Sequence, residues 1–364
     1  MAYTTIDDPE AYFQVKLWSG TGSSLALTFD GDTDMQPDLI WGKGRSLGGY
    51  NHGVVDSVRG VGKNIYPNLT EAEEDYSTGV TAFGSDGFTV GSGNVFNNGS
   101  QTYVAWNWLG ANGTSSNGNG NITSTVSANT TAGFSIVSWT GDNSGSATVG
   151  HGLGAIPNVV IIKKLSSATN WGVKHSSMTS GHMAVLNATD GSSDRNGSTN
   201  GGIGNLTSST TFGFIGGGAG TPEVNNGTMI AYCFADVQGY SKFSSYTGNG
   251  NADGTFVYTG FKPAYIMIKR TDSAADWHIQ DIKRDTYNPA DTSLFADTAD
   301  VDTTSSGYAT DFLSNGFKLR GTTTARNGSG ATYIYMAFAE NPFVSSSGVP
   351  ACARWWLIEK YNNY

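Results

Sequence analysis

Charged side chains are scarce in this sequence. Asp, Glu, Lys and Arg make up 14% of its 364 residues, well below the roughly 25% that is usual in soluble domains. Disordered chains combine high charge with few aromatic residues, whereas aromatic residues reach 12% here. The composition therefore predicts a folded chain.

Helical patterns are also missing. The 50 glycines interrupt every long window, and Ala and Leu do not recur at the spacing of an amphipathic helix. What is present is short runs of Val, Ile, Phe, Tyr and Trp separated by Gly, Ser, Thr and Asn, the pattern of strands and turns. The sequence predicts an all-β fold.

Basic runs and long apolar stretches are absent as well. The formal net charge is −10, and no Lys/Arg run could neutralise several phosphates, so a nucleic-acid partner is not expected. No stretch approaches about 18 apolar residues, so membrane insertion is not expected either. The start, Met1–Asp8, lacks the basic and apolar regions of a signal peptide. We expect the chain to be made in a host cytoplasm and to stay soluble there.

Metal and thiol motifs are weak. Asp30, Asp32 and Asp34 have the alternate spacing of a calcium loop, but Met35 stands where an EF-hand needs Gly, so we interpret the segment as a solvated acidic turn. The five histidines are scattered without metal-binding spacing: His52, His151, His175, His182 and His278. Cys233 lies in an apolar run and is predicted to be buried and reduced, not bridged to Cys352.

Catalytic motifs are missing too. No serine elbow, Cys–His pair or phosphate loop occurs in a convincing context. A polysaccharide depolymerase would need two positioned carboxylates, and of the few glutamates only Glu340 is expected at a strand end. We therefore predict a non-enzymatic protein without cofactor or metal, and keep the depolymerase as the least favoured alternative.

Five landmarks occur in the same order three times, which indicates a triplicated module. They are an aromatic-Ser/Thr-Gly turn, a Pro-led strand ending in a basic residue, a short amphipathic strand, a Gly-Phe strand and an aromatic–Ala strand. The Pro-led strands are predicted at residues 37–43, 157–164 and 263–270, and the aromatic–Ala strands at 103–108, 229–234 and 335–340.

The landmark spacing predicts three tandem antiparallel β-sandwich modules, lectin-like or jelly-roll-like. The predicted boundaries are residues 1–112 for module 1 with an N-terminal arm, 113–238 for module 2, 239–344 for module 3 and 345–364 for a C-terminal tail. Segment Asn112–Asn121 is interpreted as a linker. The Pro-led strands are apolar on successive residues, which predicts burial on both faces.

Six tryptophans fall on the repeated landmarks: Trp41, Trp106, Trp108, Trp139, Trp171 and Trp277. Aromatic faces suit sugar rings, but a residue repeated at one point of each module is expected to fill a core. Exposed binding residues are expected instead in loops that differ between modules, Asn187–Asn205 and Tyr287–Tyr308.

Longer motifs extend over nearly the whole chain: Ala2–Pro9, Asp56–Gly60, Gly239–Phe243, Gly260–Pro263, Asp311–Phe317 and Tyr333–Phe343. They resemble a protein family common in marine bacteriophages, including cyanophages and pelagiphages. Its members are usually labelled virion structural or tail-fibre-like proteins with a domain of unknown function. The resemblance implies a location on the virion and supplies no catalytic or binding residues.

From this resemblance we expect a virion surface protein, a tail fibre or appendage component that contacts the host. The alternative is a capsid decoration or cement protein on the phage head. The expected partners are other virion proteins of the tail or capsid, and host surface glycan.

Assembly is the remaining expectation. Sheet edges with few Lys or Pro residues need covering, so we expect a homo-oligomer such as a homotrimer, or stable docking onto another virion protein. Met1–Gln14 and Arg354–Tyr364 are the predicted contact regions because both lie outside the predicted repeat. Within the second, the predicted assembly contacts are Trp355, Trp356, Leu357, Ile358 and Tyr361.

Overall fold

The computed structural model describes residues 2–142, 146–196, 201–215 and 227–350. These residues form antiparallel sheets joined by turns, with only short helical segments. The predicted all-β sandwich class is confirmed. Each module combines a main sheet with a smaller three-stranded sheet.

Module 1 begins with a 3-10 turn at Pro9–Ala11. Its main sheet has the order β1-β9-β3-β4, the small sheet the order β2-β8-β7, and β5 pairs with β6. The elements are β1 (Phe13–Ser19), β2 (Leu25–Leu27), β3 (Leu39–Gly44), β4 (Gly53–Asp56), β5 (Lys63–Asn64), β6 (Glu74–Asp75), β7 (Val80–Gly84), β8 (Gly87–Val90), α1 (Asn94–Asn97) and β9 (Thr102–Trp108).

Module 2 has the longest main sheet, ordered β10-β11-β12-β20-β14-β15-β16-β17, and the small sheet β13-β19-β18. Its strands are β10 (Ser115–Asn117), β11 (Ser124–Asn129), β12 (Phe134–Thr140), β13 (Thr148–Gly150), β14 (Val159–Lys164), β15 (Gly172–His175), β16 (His182–Val185), β17 (Ser193–Asp194), β18 (Gly202–Ile203), β19 (Thr211–Ile215) and β20 (Thr228–Phe234).

Module 3 has the main sheet β21-β29-β23-β24-β25-β26 and the small sheet β22-β28-β27. Its elements are β21 (Ser241–Thr247), β22 (Phe256–Tyr258), β23 (Phe261–Arg270), β24 (His278–Asp281), β25 (Thr292–Phe295), β26 (Thr303–Thr304), a 3-10 turn at Ser306–Tyr308, β27 (Thr310–Leu313), β28 (Gly316–Leu319), α2 (Thr324–Asn327) and β29 (Thr332–Pro342).

The predicted Pro-led strands occupy equivalent positions in the three main sheets. In β3, β14 and β23 the second residue after the proline pairs with the aromatic–Ala strand in the same way. The pairs are Leu39 with Trp108, Val159 with Phe234, and Tyr265 with Phe338. The triplication is therefore present in the strand registers as well as in the sequence.

The predicted register of the third aromatic–Ala strand is wrong by two residues. Tyr246 pairs with Tyr333, as Trp18 pairs with Tyr103. Tyr335 rather than Ala337 is thus the counterpart of Ala105. Because side chains alternate with a period of two, a slip of two residues keeps every side chain on its face and leaves the apolar pattern unchanged.

Two predictions about segments between modules also need correction. Phe13 and Gln14 belong to β1 and hence to the repeat, and the preceding arm packs on module 3: the Tyr3 hydroxyl donates to the Gly260 carbonyl at 2.9 Å, and Ile6 is buried. Segment Asn112–Asn121 is not a free linker, because it contains β10, which adds to the edge of module 2. The arm is held by side chains that contact modules 2 and 3, and β10 is held by backbone pairing with β11.

The Pro-led strands are buried on both faces, as their continuous apolar runs predicted. One face of β3 packs Ile40 against the small sheet of module 1. The other face points Leu39 and Trp41 into a second core shared by all three modules. The modules are therefore wedges of one body that meet along a common interior.

An aromatic triad lies at the centre of this shared core. Trp108, Phe234 and Phe338 occupy equivalent positions, one from each module. Their ring centroids are 6.1 Å apart for Trp108–Phe234, 5.8 Å for Phe234–Phe338 and 5.5 Å for Trp108–Phe338. A closed triangle of equivalent residues indicates that the three modules surround a pseudo-threefold axis.

Candidate functional site

Three equivalent lysines form joints between the modules. They are Lys43, Lys163 and Lys269, which lie near the ends of β3, β14 and β23. All three are fully buried. Each ammonium group donates to a backbone carbonyl of the preceding wedge in the ring: Lys43 Nζ to Ala299 O at 3.3 Å, Lys163 Nζ to Thr70 O at 3.2 Å, and Lys269 Nζ to Thr189 O at 2.6 Å. Module 1 thus contacts module 3, module 2 contacts module 1, and module 3 contacts module 2.

A second set of joints uses ring N–H groups. Three equivalent residues directly precede β4, β15 and β24: His52, Trp171 and Trp277. Their ring nitrogens meet backbone carbonyls of the adjoining module: His52 Nε2 and Phe295 O are 2.8 Å apart, Trp171 Nε1 and Tyr66 O 2.9 Å, and Trp277 Nε1 and Val185 O 2.9 Å. Because Trp41 Nε1 donates to His52 Nδ1, the Nε2 atom of His52 carries the proton and donates.

The third set contains buried ion pairs at two of the three interfaces. Asp56 pairs with Arg59 in module 1 and accepts a hydrogen bond from the Tyr232 hydroxyl of module 2 at 2.7 Å. In module 3 the equivalent Asp281 pairs with Arg284. Asp281 also accepts from Trp106 Nε1 of module 1 at 3.0 Å.

The interface between modules 2 and 3 carries a neutral version of this joint. His175 and Met178 stand where the other modules have Asp and Arg. His175 Nε2 lies 3.2 Å from the Tyr335 carbonyl of module 3, and burial lowers the pKa of His175 to about 4. The module 3 residue equivalent to Tyr232 and Trp106 is Met336, which has no polar group to donate. Module 2 thus lacks the buried carboxylate at this interface, and module 3 lacks the side-chain donor that would bind it.

The lysine joints predict an unusual pH dependence. Burial lowers the pKa of Lys43, Lys163 and Lys269 to about 8, whereas the unfolded chain holds its lysine protons to about pH 10.4. Between these values the unfolded state binds more protons, so stability rises with pH. From pH 7 to 9 we expect the wild type to gain stability relative to Lys163→Met, by up to about 1.4 kcal/mol per pH unit.

The measurement is urea unfolding of both proteins across this range. Lys63→Met is the matched control, since Lys63 is partly exposed and beside Asp75 its pKa is raised. The wild type should show no such relative gain over that control. An equal pH slope for the wild type and Lys163→Met would contradict the prediction.

Asp297 has the perturbed pKa that an active-site acid often has. Burial raises the pKa of its carboxyl to about 6. Its Oδ1 atom accepts from the backbone N–H of Trp277 at 2.9 Å. The equivalent acceptors are the amide oxygens of Asn187 for Trp171 and Asn68 for His52. Because two neutral asparagines fill the same position, the Asp297 carboxyl is explained by its structural contact.

The other predicted site residues are placed as follows. Asp30, Asp32 and Asp34 are exposed, and Asp30 pairs with Lys16. Glu340 lies within β29 and pairs with Lys262. Among the described residues, no three His, Cys, Asp or Glu side chains are grouped as metal ligands would be.

Cys233 is buried and has a free thiol, as predicted, and burial raises its pKa. The six landmark tryptophans are buried as predicted. Most of them face the shared core rather than the interior of one sandwich, whereas Trp139 packs inside module 2. Trp355, Trp356, Leu357, Ile358, Tyr361 and Cys352 lie outside the described residues.

A groove of about 600 Å³ lies on the outer surface beside β10. Its walls come from the β10–β11 region and from the turns around Gly152 and Thr210. The lining side chains are small or neutral, with hydroxyl and amide groups from Ser115, Asn117 and Asn119. Such groups exchange hydrogen bonds with neutral polar ligands without desolvating a charge.

Exposed aromatic side chains lie on module 3. Phe256 and Tyr258 point outward from β22 and are 43% and 54% exposed, and Tyr287, in one of the predicted loops, is 71% exposed.

Several positively charged side chains are buried, Lys164, Lys174 and Arg326 among them. The exterior is consequently more acidic than the net charge of −10 indicates. No helix in the described part of the chain is long and apolar enough to cross a membrane.

A family model described as "Domain of unknown function (DUF7483)" matches residues 8–342, which includes all three modules in a single unit. No curated protein matches the chain, and neither does any solved structure.

Proposed function

We propose that this chain, which belongs to the DUF7483 family of domains of unknown function, is a non-catalytic structural protein of the bacteriophage virion surface. In this proposal it is part of a tail fibre or similar appendage that contacts the host. The resemblance of its long motifs to phage virion proteins motivates the location. The observation that carries the structural role is the ring, in which equivalent lysines, aromatic N–H groups and rings join three wedges into one body.

A ring of this kind suits a mechanical role. The buried lysines, ring N–H groups and ion pairs described above have partners in neighbouring modules, so they are used for holding the body together. A rigid body of about threefold symmetry presents three related outer surfaces to its surroundings. Appendages and capsids are built on rotational symmetry, and a single chain with this geometry can occupy a threefold position in either.

The capsid decoration role is the second candidate, and the closed ring favours it specifically. Fibres built from three chains obtain their threefold core by association, whereas here one chain already supplies all three wedges. The acidic exterior would also keep many neighbouring copies apart through repulsion. A depolymerase has less support, because the Glu340 carboxylate is paired with Lys262.

We propose the groove beside β10 as the contact for host surface glycan. It lies on the two-stranded extension that module 2 adds beyond β12. Its hydroxyl and amide groups suit sugar hydroxyls, and the described residues that line it include no charged side chain, which suits a neutral glycan. Substituting Asn117 or Asn119 with Asp should weaken binding to host cells while leaving the fold intact.

The test of the proposed function is to locate the protein on purified phage particles. Antibodies against the chain, imaged by electron microscopy, should label the tail. Protein quantification should give a few tens of copies or fewer per particle. Labelling of the head with hundreds of copies would favour the decoration role. Absence of the chain from purified particles would overturn both.

The state of the isolated chain is a further prediction. Of the two assemblies expected from the sequence, we propose docking onto another virion protein, because the ring already provides a closed threefold core. Light scattering should give the mass of a single chain both for the full-length protein, 38.2 kDa, and for the form that lacks residues 355–364. The full-length chain should bind purified tail or capsid proteins, and the truncated chain should bind them more weakly. A trimer mass, or equal binding by both forms, would contradict this.

A further inference from the structure

Module 3 differs from module 1 in the space between its two sheets. In module 1, Phe96 of α1 packs against Gly42 and Gly53 so closely that a Cβ on either glycine would lie within 3 Å of its ring. The equivalent residues of module 3 are Arg326 of α2, Ile268 and His278. The last residue of each helix confirms the match, since Asn97 and Asn327 donate to Gly91 O and Gly321 O in the same way.

Arg326 is a buried cation for which no described residue supplies an anionic partner. It is 1% exposed. Its Nη1 atom donates to the Tyr308 carbonyl and its Nη2 atom to Thr310 Oγ1 at 3.0 Å. Its Nε atom has no hydrogen-bond partner among the described residues, and no described carboxylate forms an ion pair with it. A buried guanidinium is normally paired because the cost of removing it from water is several kcal/mol.

His278 packs against Tyr308, whose carbonyl accepts a hydrogen bond from Arg326. The His278 ring also lacks hydrogen-bond partners among the described residues. It is 2% exposed, and its ring centroid is 4.9 Å from those of Phe295 and Tyr308. Within the described part of the chain neither ring nitrogen has a partner. Burial, with a contribution from the charge of Arg326, holds the pKa of His278 well below its usual value. An N–H group left unsatisfied in a core costs about 1–3 kcal/mol.

We propose that Arg326 and His278 hold a small inorganic anion, chloride or another halide, inside module 3. Both side chains flank Tyr308, one on its carbonyl and the other on its ring. A halide accepts hydrogen bonds from Arg326 Nε and from one ring nitrogen of His278. It also supplies a negative charge beside Arg326, which no described carboxylate provides. A water molecule would accept the same bonds without neutralising the guanidinium.

Crystals grown in sodium bromide provide the direct test. We expect an anomalous bromine peak within about 3.5 Å of Arg326 Nε and of a ring nitrogen of His278, a distance typical of a hydrogen bond to an anion. Ordered density at this position without an anomalous signal would show that water fills the site. That result would overturn the proposal, and so would the absence of any density.

A solution measurement gives an independent test. The melting temperature of the wild type should rise by roughly 2 °C for each tenfold increase in chloride above its Kd, compared with sodium gluconate at equal ionic strength. His278→Gly combined with Ile268→Gly and Arg326→Phe, which gives module 3 the residues of module 1 at all three positions, should abolish this difference. Trp139→Phe, a core change in module 2, should retain it. Equal melting temperatures of the wild type in chloride and gluconate would contradict the proposal.

Discussion

Replacing Arg284 with methionine is expected to lower the free energy of unfolding by about 3–5 kcal/mol. Arg284 is fully buried, pairs with Asp281 at 2.6 Å and with Asp302 at 2.8 Å, and donates to the Ile279 carbonyl. Methionine keeps much of the volume but removes the charge. Asp281 would then remain buried at the interface with module 1 as an uncompensated carboxylate, the costliest outcome of breaking such a pair.

The double variant Asp281→His with Arg284→Met is the matched control, because module 2 already has His175 and Met178 at these positions. Removing both charges leaves no buried ion alone. The double variant should therefore lose less stability than Arg284→Met, although the bond from Trp106 changes its acceptor. Urea unfolding of the wild type, both single variants and the double variant gives the coupling energy. Additive losses, or a cost below about 1 kcal/mol for Arg284→Met, would show that the ion pair does not hold this joint.

The elements of the fold could be predicted because their signals are local. Turn residues and apolar runs recur in each module, so the Pro-led strands and their burial on both faces follow from the sequence. The buried tryptophans follow from the same repetition. The aromatic–Ala register of module 3 could not be fixed, since Tyr335 and Ala337 lie on the same face and both positions satisfy the alternation.

The ring could not be predicted, because a repeat specifies each wedge and says nothing about which face meets the next. The signals of the joints were nevertheless present in the sequence. A lysine ends the apolar part of each Pro-led strand, and an Asp-x-x-Arg motif occurs at Asp56 and Asp281 but not at His175. A charged residue repeated at the end of a buried strand is better explained by an acceptor in another module than by solvent.

The chloride site illustrates what differs between otherwise equivalent modules. Arg326 and His278 are far apart in sequence, and although His278 lies in the third landmark, its counterparts in the other modules are glycines, Gly53 and Gly172. Their juxtaposition appears only when α2 and β24 are placed in one sandwich. Comparison with the Phe96, Gly42 and Gly53 arrangement then identifies them as a departure from the apolar filling of module 1.

Trp108→Ala is expected to destabilise the whole ring by about 3–5 kcal/mol, the usual cost of truncating a buried tryptophan. The Trp108 ring contacts Phe13 of its own module, Phe234 of module 2 and Phe338 of module 3, with centroids 5.1–6.1 Å away. A cavity at this point touches all three wedges. Native-state hydrogen exchange should therefore show faster exchange in the main sheets of every module.

Two variants test whether the position or the size of the residue matters. Trp108→Phe makes the triad three phenylalanines and removes an indole N–H that has no partner among the described residues, so it should cost less than about 1.5 kcal/mol. Trp139→Ala removes the same side chain from the interior of module 2, and its faster exchange should be confined to that module. If Trp108→Ala accelerated exchange in module 1 alone, the three wedges would be independent domains rather than one body, because a shared core transmits the loss of its central ring to every sheet that packs on it.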